Sequence, residues 1–292
     1  VYTQILKDIN EAIDLGGLPD VAVNKMRFNK PAAYAVKALT LLNMQKWDEA
    51  EEAAQQALAI NGVVNNYNTS YLGTTQGYLI SGTYTVINRE KKGTDEDYFC
   101  NGKSDFCNCY TPTTMANFED GHAYKDKMSN FNMMYDYLMD AGESMLGESG
   151  FNITYDLNSY WNDGGLRSTQ MYLTIAECET HKGNYDTAME YLDRVRVNRI
   201  APAKYQPLKG TVNTKEDAIA HVKQVTLNED IYTTNIFIDK KRWNQLDGWK
   251  QDYSRTLAGK TYTIKPDSKM WVFPFPMSVM NNNDKITQNY NE

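Results

Sequence analysis

Basic charge, histidine and long apolar runs are all scarce in this sequence. Lysine and arginine number 30 against 37 aspartates and glutamates, a net charge of −7 at pH 7. The cations are scattered, so no basic field exists to collect phosphates, and a nucleic-acid role is disfavoured. No apolar run approaches the ~20 residues that a helix needs to cross a bilayer. No signal peptide is seen: Val1 already lies in a helical pattern, and the chain reads as a processed or trimmed version of a longer one. The 3 histidines (His122, His181, His221) are dispersed. Of the 4 cysteines, Cys178 falls at a helical core position, where a buried thiol is ordinary. Cys100, Cys107 and Cys109 share a polar loop with no evident fourth zinc ligand, which favours a disulfide staple over a metal site. G-x-S-x-G, H-E-x-x-H, P-loop and dinucleotide fingerprints are all missing, so the chain is not expected to be an enzyme. Two carboxylate neighbours, Asp95 with Asp97 or Glu119 with Asp120, read as solvated loop residues and not as a glycosidase pair. Asn and Asp are plentiful around 95–97 and 281–284, which admits a structural calcium, but the spacing matches no defined calcium loop. No cofactor is assigned.

What the chain does have is a helical hairpin present twice. Over 165–202, Leu166, Tyr172, Leu173 and Ala176 recur at helical spacing, and Ala188, Tyr191, Leu192 and Val195 repeat the pattern after a turn at 181–184. Gly183 can end the first helix in the left-handed conformation, and Pro202 stops the second. The second copy spans 29–61, where Trp47-Asp48-Glu49-Ala50 lines up with Tyr185-Asp186-Thr187-Ala188. Its faces are small: Ala32, Ala35 and Ala38 on one helix, Ala50, Ala53, Ala54 and Ala57 on the other. An aromatic before D-x-x-A wedges the turn, and each pair needs a neighbour to bury its apolar face, which is the tetratricopeptide logic. The glycine before the aromatic is missing from this copy, where Gln45 and Lys46 stand.

The expected fold is therefore mainly α: tetratricopeptide-like helix pairs, an irregular insertion and an extended tail. A chain of 292 residues can bury a sizeable core as one interlocked unit. Residues 1–61 hold an N-terminal amphipathic helix (Tyr2, Ile5, Leu6, Ile9, Ala12, Ile13) and the first pair. Residues 62–165 form a loop-rich insertion, where periodicity fades and short β-like runs alternate with glycines; a helical patch is expected at 130–145. Residues 166–292 carry the second pair, a helix capped by Thr214, another over 229–246, and a tail expected to wrap the helices and shelter Trp271, Val272, Phe273 and Phe275.

Tyrosine is abundant, at 21 residues, and suits polar contact surfaces and the stacking of sugars or peptides. A long irregular segment on a rigid scaffold commonly carries binding function. The candidate ligand-binding residues in the insertion are Tyr67, Tyr71, Tyr78, Tyr84, Tyr98 and Trp161, flanked by Asn101, Asp105 and Asn162. Flat aromatics would meet the apolar faces of an oligosaccharide while the amides and carboxylate bond its hydroxyls. A peptide is the close variant, and a repeat-groove scaffold for partner proteins is a separate class.

Four pieces in this order resemble one family. They are a Y-x-x-I-x-x-D-x-x-x-A-I helix (Tyr2, Ile5, Asp8, Ala12, Ile13), the alanine-rich helix before W-D-E-A, and an R-x-x-x-x-Y-L-x-x-A-E helix (Arg167, Tyr172, Leu173, Ala176, Glu177) running into G-N-Y-x-x-A-x-x-Y-L-x-x-V-R. The fourth is R-W-x-x-L-D with F-P-F-P (273–276) and I-T-Q-N (286–289). The chain is similar in these pieces to the SusD/RagB family of outer-membrane nutrient-binding lipoproteins. It departs where TTNIFIDKKRWNQL replaces the family's acidic stretch before R-W, and in having neither the lipid-bearing N-terminal cysteine nor the first helices. The resemblance implies a cell-surface lid that binds a glycan or peptide and passes it to a SusC-like TonB-dependent transporter, with the repeats facing that transporter. It also implies lipid anchoring upstream of Val1, so that membrane attachment lies outside this chain. Family ligand sites lie in variable loops, and no binding residue carries over.

Overall fold

The computed structural model describes residues 1–69, 94–100, 108–110, 114, 116–123, 125, 152–154, 165–231, 233–257 and 260–288. Eight α-helices stand among them: α1 (Tyr2–Asp14), α2 (Lys30–Asn43), α3 (Trp47–Ile60), α4 (Ser168–Lys182), α5 (Tyr185–Arg196), α6 (Lys215–Glu229), α7 (Asn235–Trp243) and α8 (Met277–Asn282). The helix patch expected at 130–145 and the β-like runs near 78–87 lie outside the described residues. No helix among the described residues is long and apolar enough to cross a membrane.

α2 and α3 form the first pair, and α4 and α5 the second. Their turns show why one copy needed glycine and how the other manages without it. Gly183 sits at φ +84°, and Gln45, two residues before the equivalent aromatic, takes φ +59°. Gln45 is the one non-glycine residue with positive φ among the described residues, a backbone state that costs an L-residue roughly 1 kcal/mol. The alanines then act as expected: Ala32, Ala35, Ala38, Ala50, Ala54 and Ala57 are wholly buried, allowing the α2 and α3 backbones to approach closely. Asn29 caps α2, its Oδ1 accepting from the Ala32 amide at 2.9 Å. Trp47 and Trp249 enclose the ring of His181, with centroids 3.9 Å and 4.9 Å away. That stack joins the first pair, the end of α4 and the segment after α7.

α4 is buried on every side from Ser168 to Thr180, so it is the central helix and not an amphipathic one. Two of its buried threonines are satisfied locally, Thr174 and Thr180 donating to the carbonyls of Gln170 and Ala176, each at 2.8 Å, while the buried Thr169 hydroxyl has no partner among the described residues. Leu166, expected on this helix, instead lies in a short strand. Two apolar clusters flank α4. One holds α2, α3 and Tyr98; the other holds α5, α6, Trp243 and Trp249.

The helix expected over 229–246 is shorter, running from Asn235 to Trp243. Glu229 and Asp230 turn inward to two buried arginines, and the chain bends there: the Thr233 amide and hydroxyl both bond the Asp230 carbonyl, at 2.9 Å and 2.7 Å. Thr214 caps α6 as expected, accepting from the Asp217 amide at 3.1 Å.

Three two-stranded ribbons complete the described structure. β1 (Asp97–Phe99) pairs antiparallel with β4 (Leu166–Arg167), and β2 (Asn108–Tyr110) with β3 (Asn152–Thr154). β5 (Tyr253–Leu257) and β6 (Lys260–Ile264) form a hairpin whose exposed face is laced by Ser254–Thr263 and Thr256–Thr261 hydroxyl pairs. Beyond it the tail follows the helices only in part. Trp271 is buried, with its indole N–H donating to the Lys265 carbonyl at 2.9 Å. Val272, Phe273 and Phe275 remain 48%, 73% and 38% exposed, contrary to the expectation that the tail shelters them. The reason lies in the proline-rich backbone, which cannot pair as a strand. A side chain substitutes: Gln288 accepts from the Phe275 amide at 2.8 Å and donates to its carbonyl at 3.1 Å, tying 273–276 to 286–288.

Because no atom lies within 4 Å of a Cβ built on Gly183, replacing it tests the backbone alone. Gly183→Ala is expected to lower the unfolding free energy by about 1 kcal/mol, and Gln45→Gly to raise it by roughly 0.5–1 kcal/mol. Urea denaturation of the two variants reads both signs.

Candidate functional site

The insertion is fastened to the helical frame by two arginines at the end of the second pair. Arg199, 1% exposed, donates from Nε to Glu229 Oε1 at 2.6 Å and from Nη2 to Glu229 Oε2 and Glu96 Oε2, both at 3.0 Å. Nη1 reaches the Asn65 carbonyl at 2.5 Å. The Tyr67 ring lies 3.6 Å below the guanidinium, and its hydroxyl donates to Glu96 Oε1 at 3.1 Å. Arg196 grips a second stretch of the insertion by pairing with Glu119, Nε to Oε2 at 2.9 Å, while holding Asp193 on its own helix. Asp193 in turn accepts from the Leu208 and Lys209 amides at 2.8 Å and 3.0 Å, fixing the loop after α5. Between the two arginines His122 is buried, and that burial, with the two guanidinium charges adding, holds its imidazole neutral down to about 3. A buried guanidinium needs this many partners because its desolvation is otherwise uncompensated.

This network reassigns two of the expected ligand contacts. Tyr67 and Tyr98 are 1% and 0% exposed. Tyr67 is engaged by Arg199 and Glu96, and the Tyr98 hydroxyl donates to the Asn61 carbonyl at 2.6 Å. Burial pushes that phenol's ionisation far above its usual range. Neither ring has a face available to a ligand; both anchor the insertion's stem. Tyr71, Tyr78, Tyr84, Asn101, Asp105, Trp161 and Asn162 lie outside the described residues, as does Cys107 of the expected staple. Asp97 accepts from the Thr94 amide and hydroxyl at 2.7 Å and 2.9 Å, and Glu119 is held by Arg196, so the carboxylate neighbours considered in the sequence serve as turn and anchor. Among the described residues no group of three His, Cys, Asp or Glu is placed to hold a metal ion.

A separate half-open cavity of about 210 Å³ lies on the frame itself, lined from α2, α4, α6 and α7. Leu39, Leu42 and Leu173 give it an apolar wall, Ile238 stands at its edge, and Glu177, Asp230, Asp239 and Arg242 supply charge. Arg242 Nη2 donates to Glu177 Oε2 at 2.8 Å and to Asp239 Oδ1 at 2.9 Å, and Trp243 Nε1 also donates to Glu177 at 3.0 Å. Arg167 Nη2 covers Asp230 Oδ1 at 2.7 Å. Burial alone would raise Glu177, but the Arg242 charge and the hydrogen bonds outweigh it and hold the carboxyl down to about 2. Asp239 goes the other way: burial, opposed by Arg242 and reinforced by Asp230 and Glu177, pushes it up to about 7. Arg242 Nε is buried with no hydrogen-bond partner among the described residues, an omission that costs about 1–3 kcal/mol. Sequence reading missed this cavity and both arginine anchors. The spacing of Arg196 and Arg199 alone held the signal, one helical turn apart at the end of a pair.

Comparison with known proteins agrees with this architecture. The structure is similar over 100% of the chain to a SusD-like protein from Bacteroides fragilis (16% identity, TM-score 0.59, 71% of that chain). It is similar to the same extent to a SusD-like carbohydrate binding protein from Bacteroides vulgatus (15% identity, TM-score 0.59, 66% of that chain). Surface glycan-binding protein A from Bacteroides thetaiotaomicron is matched over 99% of this chain and 70% of its own (14% identity, TM-score 0.56). The chain thus has a SusD-like fold and spans about two thirds of the length of such proteins. The SusD family model matches residues 162–291, which hold α4 to α8, so through this segment the chain is similar to the SusD family. No curated protein matches the sequence.

Removing the positive charge from the first anchor is expected to be severe. Arg199→Met strands Glu96 and Glu229 and should lower the unfolding free energy by about 3–5 kcal/mol; adding Glu96→Gln and Glu229→Gln to it should recover part of the loss in urea denaturation. The cavity carboxyls predict a pH dependence. Asp239 has a folded value above its unfolded one of about 3.9, so its contribution is fully present below about pH 4 and is lost as pH rises through about 7. Glu177 has the opposite sign, contributing above about pH 4.5 and losing that contribution as pH falls toward 2. Asp239→Asn should therefore flatten the fall in urea midpoint between about pH 5 and pH 8. An unchanged slope would show that Asp239 is not the group responsible.

Proposed function

We propose that this chain captures an oligosaccharide at the cell surface, without chemistry, and delivers it to a SusC-like TonB-dependent transporter of the outer membrane. The observation that carries the reading is the pairing of a SusD-family frame with an insertion held on it by buried ion pairs. The frame matches over 162–291, and Arg196 and Arg199 hold residues 65–67, 96 and 119 of the insertion. A stem fixed this firmly gives the insertion a rigid base on the frame, and less order then has to be created on binding. The carbohydrate-binding and glycan-binding descriptions of two proteins of similar fold support sugar as the ligand class.

In this reading the chain is one interlocked unit. Residues 1–61 and 166–292 form the frame, and 62–165 carry recognition through Tyr71, Tyr78, Tyr84, Asn101, Asp105, Trp161 and Asn162. Attachment to the membrane comes through a lipid anchor outside this chain, and the protein works without a catalytic residue or a cofactor.

The test is calorimetric titration with a panel of oligosaccharides, set beside a peptide library. Saturable sugar binding is expected, with Trp161→Ala and Tyr71→Ala each weakening it tenfold or more, or about 1.4 kcal/mol. Tyr67→Ala should lower the melting temperature while the folded protein keeps its affinity. Binding of peptides in place of sugars, or turnover of any glycan, would sink the proposal.

A further inference from the structure

The cavity between α2, α4, α6 and α7 is chemically unfinished in two complementary ways. Arg242 spends both terminal nitrogens on Glu177 and Asp239, and its buried Nε–H has no partner among the described residues. That donor calls for an acceptor oxygen. Asp239 accepts only from Arg242 among the described residues, and it is held up to about 7 by burial and by its acidic neighbours. A carboxyl in that position calls for a further donor. Leu39, Leu42 and Leu173 face these groups with hydrocarbon only.

These demands narrow the ligand. A free anion would meet Glu177, Asp230 and Asp239 together and be repelled. A hydrocarbon would leave both deficits standing. An amine would answer Asp239 and leave the Arg242 Nε–H without an acceptor. A sugar hydroxyl donates and accepts through the same oxygen, and a pyranose also has an apolar C–H face to lay on leucines. The space is right for one ring: about 210 Å³ equals roughly seven waters at ~30 Å³ each.

We propose that this cavity binds a single sugar ring, or a cyclic polyol of that size, at a site on the helical frame separate from the insertion. The ring lies against the leucine wall, one hydroxyl oxygen accepts from Arg242 Nε, and another hydroxyl donates to Asp239. The inference goes beyond capture by the insertion and stands or falls separately from it.

Ligand-observed saturation-transfer NMR on the full chain, with glucose, galactose, mannose and N-acetylglucosamine as probes, tests it. Two variants address the site. Ile238 is 48% exposed at the cavity edge, so Ile238→Trp narrows the mouth without entering the core. Asp239→Asn keeps the shape and removes the charge. At least one probe should bind saturably at millimolar concentration, and each variant should weaken it tenfold or more while its melting curve stays cooperative. Affinity should rise severalfold from about pH 6 to pH 8, because a donating hydroxyl favours the ionised carboxylate. Trp161→Ala addresses the insertion, so monosaccharide binding that it abolishes belongs there and not to this cavity. The proposal is overturned if no probe saturates, if neither cavity variant alters binding, or if Trp161→Ala abolishes it. Methylammonium competing more strongly than every sugar would overturn it in favour of a cation pocket. Monosaccharide binding that persists when no oligosaccharide titrates would leave this site standing and remove the insertion's role.

Discussion

A buried guanidinium is the densest junction between the insertion and the helical frame. Arg199 stands where α5 gives way to the following loop, and on it converge a carboxylate from α6, a carboxylate and a carbonyl from the insertion, and the face of Tyr67. Each of these partners, taken alone, would be costly to bury. Assembled, they neutralise and hydrogen-bond one another, and the insertion's stem gains a fixed position that hydrophobic contact alone would not specify. Arg196, three residues earlier, repeats the arrangement with Glu119 and so determines a second point on the same surface. The placement of the insertion's stem thus comes from polar chemistry, and the alanine-lined pairs supply the platform.

The platform owes its rigidity to how little its side chains occupy. Wholly buried alanines on α2 and α3 bring backbones close, and α4 threads the centre with Thr174 and Thr180 bonded to its own carbonyls. Where the packing gives way, between α2 and α7, the gap is lined by leucines on one side and ionised groups on the other. Charge surrounding that gap is not balanced atom for atom, which is why Glu177 and Asp239, on neighbouring helices and sharing Arg242, are shifted in opposite directions.

Much of the frame was legible because local chemistry and global packing agree there. The aromatic before D-x-x-A, the glycine at 183 and the cap at Thr214 each state a backbone geometry that the fold adopts. Gln45 shows where tertiary context overrides such a signal: the same left-handed turn forms without its glycine. The insertion's tyrosines were not legible, since nothing in a sequence says which way a ring faces; Tyr67 and Tyr98 point inward because a guanidinium and a carbonyl wait there. Glu229 and Asp230 misled for a related reason. Their pattern suggests the start of a helix, yet Glu229 closes α6 and Asp230 turns to Arg167, so the next helix begins only at Asn235. The tail was misread from hydrophobicity: Phe273 and Phe275 are apolar, but prolines deny their backbone a neighbouring strand.

The tail's attachment has a consequence for how it moves. Trp271 is its buried tether, Phe273 stacks on Phe237 of α7 with ring centroids 4.9 Å apart, and Gln288 closes a loop of the tail onto itself. A segment bound to itself and held to α7 through the neighbouring rings of Trp271 and Phe273 detaches as a unit or stays as a unit. Loss of the Trp271 and Phe273 contacts together would release a preformed hook of backbone, with helices and insertion left in place behind it.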